Sequence, residues 1–397
     1  VIDLTREYLL LGLRFDRLVD GFVDAYTGDP ALRAQVANEP KPDPGELARG
    51  ATLLRSELPS SGLAADRQAF LDGQLHALSV SGRKLAGEPV GFVDEVESYF
   101  QVRIEPGDES EYAAAHEALD KLLPGEGSLA ERFVAYRETH VVPPAQLAEA
   151  VDAFSSDLRD RVRATYPLPE QEVVEYEVVT DKPWSGFNYY LGDYRSRVAI
   201  NADLPMRMSD LPKLVAHESY PGHHTEHSRK ERLLVEGATQ AEHTIFLVNT
   251  PECLMAEGLA DLGVRVAVGE GWGAWARGIY ADLGIAFDGD LAEAVSRAAA
   301  PLNSVRQDAA ILMHDRGASE DDVVAHLVRW GLVSDERARK SLAFMTDPLW
   351  RAYTSTYVEG YRLLGRWLDA GVDRGERFRR LLDEPLTPAA IVADLAA

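Results

Sequence analysis

The chain has little cysteine. One residue, Cys253, in 397 excludes an intrachain disulfide and any Cys-rich zinc module, and it gives no sign of an oxidising compartment. Positive charge is also scarce: 41 Lys and Arg stand against 65 Asp and Glu, a formal net charge of −24. Phosphate binding draws its affinity from Lys and Arg, so nucleic acid is disfavoured as a partner, and so is an anionic membrane surface. No apolar run approaches the length of a membrane-spanning helix. Leu9-Leu10-Leu11 is too short for the core of a signal peptide, and acidic residues surround it. The expectation is a cytoplasmic protein, with a leader removed ahead of Val1 as the alternative. Repeats at a solenoid period and low-complexity tracts are absent as well.

What is present reads as helical. Hydrophobic residues at 46% and charged residues at 27% are ordinary globular values. Residues 1–165 form a helical N-terminal region, with Leu11, Phe15, Leu18 and Phe22 recurring at helical spacing. Breaks fall at Pro40-Lys41-Pro42-Asp43-Pro44-Gly45, Leu58-Pro59 and Val142-Pro143-Pro144. Past Tyr166-Pro167-Leu168-Pro169 the period changes. Val174, Tyr176 and Val178 alternate with glutamates as in a half-exposed strand, and the segments flanking Gly192-Asp193 predict a β-hairpin. From Ser209 to the end the pattern is helical again. The expected fold is mostly α, with a small sheet just upstream of a histidine cluster. Residues 166–397 form the catalytic region, as a second lobe or continuous with the first.

That cluster is the strongest chemical signal. Four of ten histidines lie between His217 and His227, within His217-Glu218-Ser219-Tyr220-Pro221-Gly222-His223-His224. A catalytic zinc site needs neutral imidazoles converging on one point and a position left open for water. In the regular H-E-x-x-H arrangement one helical turn separates the histidines, and the glutamate is the general base. Here Pro221 occupies the i+4 position, and proline cannot continue the helical ladder. On a straight helix His217 and His224 would stand about 10 Å apart along the axis. The histidines converge only if Pro221-Gly222 interrupts the helix, so a break is predicted between about Ser219 and Gly222. The bland reading is a helix end with solvated histidines.

The motif His217-Glu218-x-x-Pro221-Gly222-His223-His224 resembles the signature of the bacterial family catalogued as domain of unknown function 885. Its members are similar to gluzincin metallopeptidases, the helical zinc peptidases that include angiotensin-converting enzyme, thimet oligopeptidase and carboxypeptidase Taq. The resemblance covers about residues 185 to 365, and the N-terminal third shares only helical character. It implies a gluzincin-like fold with the hairpin beside the active-site helix, a Zn2+ cofactor, and hydrolysis of a peptide or small amide with Glu218 as base. His223 is the preferred second ligand after His217, with His224 the close alternative.

A third ligand is needed. Glu257 and Asp261 lie at i and i+4, which suits a carboxylate ligand followed by one that orients an imidazole. The glutamate of a comparable E-x-x-x-D helix ligates zinc in the gluzincins, so the resemblance also favours Glu257. Glu270 competes, because many family members carry E-G-W around their ligand, as in Glu270-Gly271-Trp272. Cys253 is a conceivable ligand but reads better as a core thiol. The resemblance to a tyrosine-x-x-glycine segment selects Tyr357 as oxyanion donor, against plain packing of Tyr353, Tyr357 and Tyr361 at helical spacing. It also offers Arg306 and His314 as contacts for a carboxylate or oxyanion, although Ala310 stands where the family carries an acidic residue. Asn201 matches a family asparagine without an assigned role. The rival readings are an amidase or esterase on small non-peptide substrates, a non-catalytic metal-binding protein, and a metal-free helical interaction protein.

Overall fold

A computed structural model describes residues 3–182, 184–203 and 205–397. The chain is mostly α-helical with two small sheets. In chain order, the elements that build the candidate site are α1 (Leu4–Asp16), β1 (Val23–Tyr26), α2 (Ala65–Leu85), α3 (Leu129–Thr139) and α4 (Leu147–Thr165). Next come β2 (Val173–Val179), β3 (Gly186–Gly192), β4 (Arg195–Asn201), α5 (Leu211–Glu218) and α6 (His223–Lys230). They are followed by β5 (Ile245–Leu247), α7 (Pro251–Asp261), α8 (Val305–His314), α9 (Asp335–Thr346) and α10 (Tyr361–Ala370). Further helices pack around them. Among the described residues no helix is long and apolar enough to cross a membrane.

The larger sheet has the order β2-β4-β3. The hairpin falls where its turn residues place it: Asp193 and Tyr194 both take positive φ, the requirement of a tight two-residue turn. β4 lies in the middle, antiparallel to β3 and parallel to β2, so β3 is an edge strand beside α5 and α6. Val198 and Ile200 of β4 point into a core shared with Phe154 and Leu158 of α4, Leu211 and Val215 of α5, and Leu254 and Leu259 of α7.

The second sheet corrects the expectation of helix alone before residue 165 and after Ser209. β1 pairs antiparallel with β5, with Val23 opposite Leu247 and Tyr26 opposite Ile245. Strands of four and three residues are too short to show a period of two. Helical spacing carried the pattern through to Phe22, yet α1 ends at Asp16, whose Oδ1 accepts from the Val23 N–H at 3.0 Å. Ile245 and Leu247 complete a second core with Leu9, Leu13 and Phe15 of α1 and Leu71, Leu75 and Leu78 of α2.

Candidate metal centre

The helix carrying His217 stops where its sequence requires. Pro212 sits in its first turn, where a missing N–H costs nothing, and Leu211, Val215 and Ala216 bury one face. Pro221 then ends it. Ser219 leaves helical geometry at φ −128°, ψ −82°, the Tyr220–Pro221 peptide is cis, and a new helix opens at His223. Gly222 folds back onto the end of α5: its N–H donates to the Ala216 carbonyl at 2.9 Å. A Cβ at Gly222 would stand 1.9 Å from the His217 carbonyl oxygen, so no other residue fits there. Thr225 Oγ donates to the Ser219 carbonyl at 2.9 Å, and Asn188 of β3 donates to the Glu218 carbonyl at 2.6 Å.

The interruption brings three ligand groups together. Among the described residues, His217, His223 and Glu257 offer ligand atoms within 4.8 Å of one another. His217 Nε2 lies 3.3 Å from Glu257 Oε2, and His223 Nε2 lies 3.6 Å from Glu257 Oε1. The two imidazole nitrogens are 3.1 Å apart. Zinc bonds of about 2.0–2.2 Å at tetrahedral angles give ligand–ligand separations of about 3.3 Å, so the spacing fits one ion. Glu257 is buried, and its Oε2 has no hydrogen-bond partner, an orphaned acceptor facing the two rings.

The surroundings fix each group. Asp261 Oδ1 lies 2.9 Å from His217 Nδ1 and accepts from it, which orients the ring with Nε2 toward the cluster. Burial works against a charged imidazole at His217, but Asp261 and Glu257 outweigh it and raise its pKa. Burial alone would raise the Glu257 carboxyl; the imidazoles of His217 and His223 beside it reverse this and hold it far below the usual range. Glu218, also buried, is raised, chiefly by desolvation and against the pull of His217 and His223. Gly186 at the start of β3 passes beside it, where a Cβ would stand 3.3 Å from Glu218 Oε1.

His224 goes elsewhere. Fully buried, it sets Nδ1 2.8 Å from Ser196 Oγ and Nε2 3.0 Å from Glu172 Oε2, so both ring nitrogens are occupied away from the cluster. One helical residue turns a side chain by about 100°, and the chain leaves the break with His223 inward. Glu172 also accepts from Tyr220 Oη at 2.7 Å and Arg159 Nε at 2.7 Å, clamping the far side of the break. Glu270 is exposed in the turn before Trp272–Asp282 and outside the cluster. Cys253 is a buried thiol, raised by desolvation, and likewise outside it. His314 Nε2 meets the Met345 carbonyl at 2.7 Å, a packing role. Asn201 donates to the Lys182 and Trp184 carbonyls at 2.9 Å, stapling a loop.

Tyr357 lies at the rim. Its ring centroid is 6.5 Å from that of His217, and the residue is 42% exposed, while desolvation of the phenol and then the charges of Glu257, Asp261 and Glu218 push its pKa well above the ordinary value. It sits in a π-helical segment, Thr356–Gly360, a distortion common at functional sites. Two groups escaped sequence reasoning. Tyr353 Oη donates to Glu257 Oε1 at 2.6 Å, although its helical spacing reads as packing. Asp24 occupies the bulge between Val23 and Ala25; burial pushes its carboxyl up to about 7, with His223 pulling it down and Glu257 and Glu218 adding to the rise. Neither has a local sequence signal, because each reaches the site from far along the chain.

No family model matches the chain, and no curated protein matches it. Two of the solved structures that share its fold are bacterial proteins. One is described as a putative lipoprotein from Colwellia psychrerythraea: TM-score 0.56 and 14% identity, over 89% of this chain and 67% of that one. The other is described as a putative lipoprotein of unknown function from Shewanella oneidensis: TM-score 0.54 and 13% identity, over 93% of this chain and 76% of that one.

Proposed function

We propose that the chain is a zinc-dependent hydrolase of gluzincin-like fold, most simply a metallopeptidase acting on peptide bonds. The observation that carries this reading is the meeting of His217, His223 and the unpartnered Glu257 oxygen, with Glu218 alongside. Two imidazoles and a carboxylate suit zinc better than calcium or magnesium, which prefer all-oxygen shells. Bound there, zinc supplies Lewis acidity, making water more acidic and polarising the substrate carbonyl. Glu218, its pKa raised by burial, takes the proton from the attacking water and returns it to the leaving amine. Asp261 and Tyr353 hold His217 and Glu257 in place. Tyr357 donates its hydroxyl to the developing oxyanion. β3, at the edge of its sheet among the described residues, is the strand with which an extended peptide would pair.

The test is metal analysis of the purified chain together with hydrolysis of a peptide library. Near-stoichiometric zinc and chelator-sensitive cleavage are expected. Zinc with cleavage of small amides or esters alone moves the activity to an amidase or esterase. Absence of zinc after purification and on titration ends the reading.

A further inference from the structure

In a chain with 24 more acidic than basic side chains, four arginines gather beside the candidate site with little to neutralise them. They come from separate elements: Arg137 on α3, Arg207 ahead of α5, Arg306 on α8 and Arg337 on α9. Backbone pairing joins the first two regions, with an isolated bridge between Val141 and Arg207 and the Met208 N–H donating to the His140 carbonyl at 2.9 Å. One small apolar cluster joins the rest: Phe133 and Tyr136 of α3 pack with Leu302, just ahead of α8, and Leu332, just ahead of α9. The elements that carry the four arginines are therefore packed together. Arg137 is held down to about 10, first by burial and then by the positive charges of Arg207, Arg337 and Arg306. Arg337 is lowered by burial, Arg207 and Arg306.

The carboxylate among them is Asp210, 3.0 Å from Arg207. Asp288, which faces Tyr136, is engaged in capping the helix Gly289–Ala299. No ion pair or hydrogen bond ties the side chain of Arg137, Arg306 or Arg337 to a carboxylate among the described residues. Arg306 and Arg337 reach solvent, with Arg137 and Arg207 half-buried behind them. The patch also borders the metal centre. Gln307, next to Arg306, donates to Glu359, two residues past Tyr357, at 2.8 Å. Asp210 and His217 are seven residues apart along α5, about 10 Å.

Like charges held together without counterions are costly, and guanidinium forks match carboxylates in geometry as well as charge. We propose that this patch is a substrate subsite for an acidic peptide, in which Arg137, Arg207, Arg306 and Arg337 take a C-terminal carboxylate together with at least one Asp or Glu side chain. A single carboxylate leaves the patch positive, so the ligand carries more than one. The inference rests on the hydrolase reading for its substrate language and on the arginine cluster for its chemistry.

The experiment is calorimetric binding to the full chain carrying Glu218→Gln. The acidic tetrapeptide Ala-Ala-Glu-Glu is compared with amidated Ala-Ala-Gln-Gln and with inorganic phosphate. The acidic peptide should bind at least about tenfold more tightly than the neutral one, and more tightly than phosphate. Arg337→Gln, at an exposed position, and Arg137→Gln should each cost about tenfold toward the acidic peptide and nothing toward the neutral one, as expected for a charge-assisted hydrogen bond. Lysine at either position should restore part of the loss. Equal binding of the two peptides, acidic binding that survives both Arg→Gln changes, or a preference for phosphate overturns the proposal. Acidic-peptide binding without turnover by the unsubstituted chain leaves the subsite standing and removes the hydrolase reading; indifferent cleavage of acidic and neutral peptides does the reverse.

Discussion

Gly258 of α7 packs backbone to backbone against Gly360 at the end of the π-helical segment. A Cβ on Gly258 would stand 2.5 Å from the Gly360 carbonyl carbon, and one on Gly360 would stand 2.7 Å from the Leu254 carbonyl oxygen. The contact lets the segment bearing Tyr353 and Tyr357 approach the helix bearing Glu257 closely enough for the Tyr353–Glu257 hydrogen bond. Gly258→Ala is expected to push the two apart. Stability should fall by about 1–3 kcal/mol, the usual result of overpacking, and peptide cleavage by tenfold or more, read by thermal unfolding and kcat/KM.

Gly222→Ala tests the interruption itself. With a Cβ excluded by the His217 carbonyl, His223 can no longer turn inward, so zinc content after purification should collapse. His224→Ala should behave oppositely, keeping zinc while losing stability, because that ring is spent on Ser196 and Glu172.

Glu218→Gln preserves size and removes the base. Zinc should stay bound while hydrolysis drops about a hundredfold or more. Unchanged turnover would show that another group takes the proton.

Asp261→Asn weakens the acceptor that orients His217. Zinc affinity should fall by about 10- to 100-fold, the usual effect of removing such a partner, as measured by competition with a chromogenic chelator.

Glu172 gives a pH signature. Burial alone would raise its carboxyl, but hydrogen bonds from His224, Tyr220 and Arg159 lower it from 4.5 to about 2. A depressed carboxyl stabilises the fold fully above its unfolded value and loses that contribution as pH falls toward its folded value. The window is therefore about pH 4.5 to 2. Solvent screening of its half-exposed arginine partners trims the contribution to roughly 1–2 kcal/mol. Glu172→Gln should be less stable than the unsubstituted chain at pH 7 in urea unfolding, with the gap closing through that window.

Much of this architecture could be read locally. Pro221 forbids a straight helix and Gly222 permits the return, so the break was legible in two residues. The hairpin was legible in its turn, and the i, i+4 relation of Glu257 and Asp261 in helix periodicity. The choice between His223 and His224 was not, because it depends on the direction in which the chain leaves the break, and Glu172 and Ser196 set that from other elements. Asp24 and Tyr353 were illegible for the same reason: β1 is positioned by a partner strand more than 200 residues away in sequence.

The interrupted helix also changes what controls the spacing of the two histidines. In an unbroken helix that spacing is a property of the backbone ladder and can hardly be altered. Here it is set from outside, by Asn188 reaching across from β3, Thr225 bonding back to Ser219, and Glu172 gripping Tyr220. If the pair holds a metal as proposed, substitutions in the sheet should retune the distance between the two imidazoles, and with it metal preference, while every proposed ligand stays unchanged.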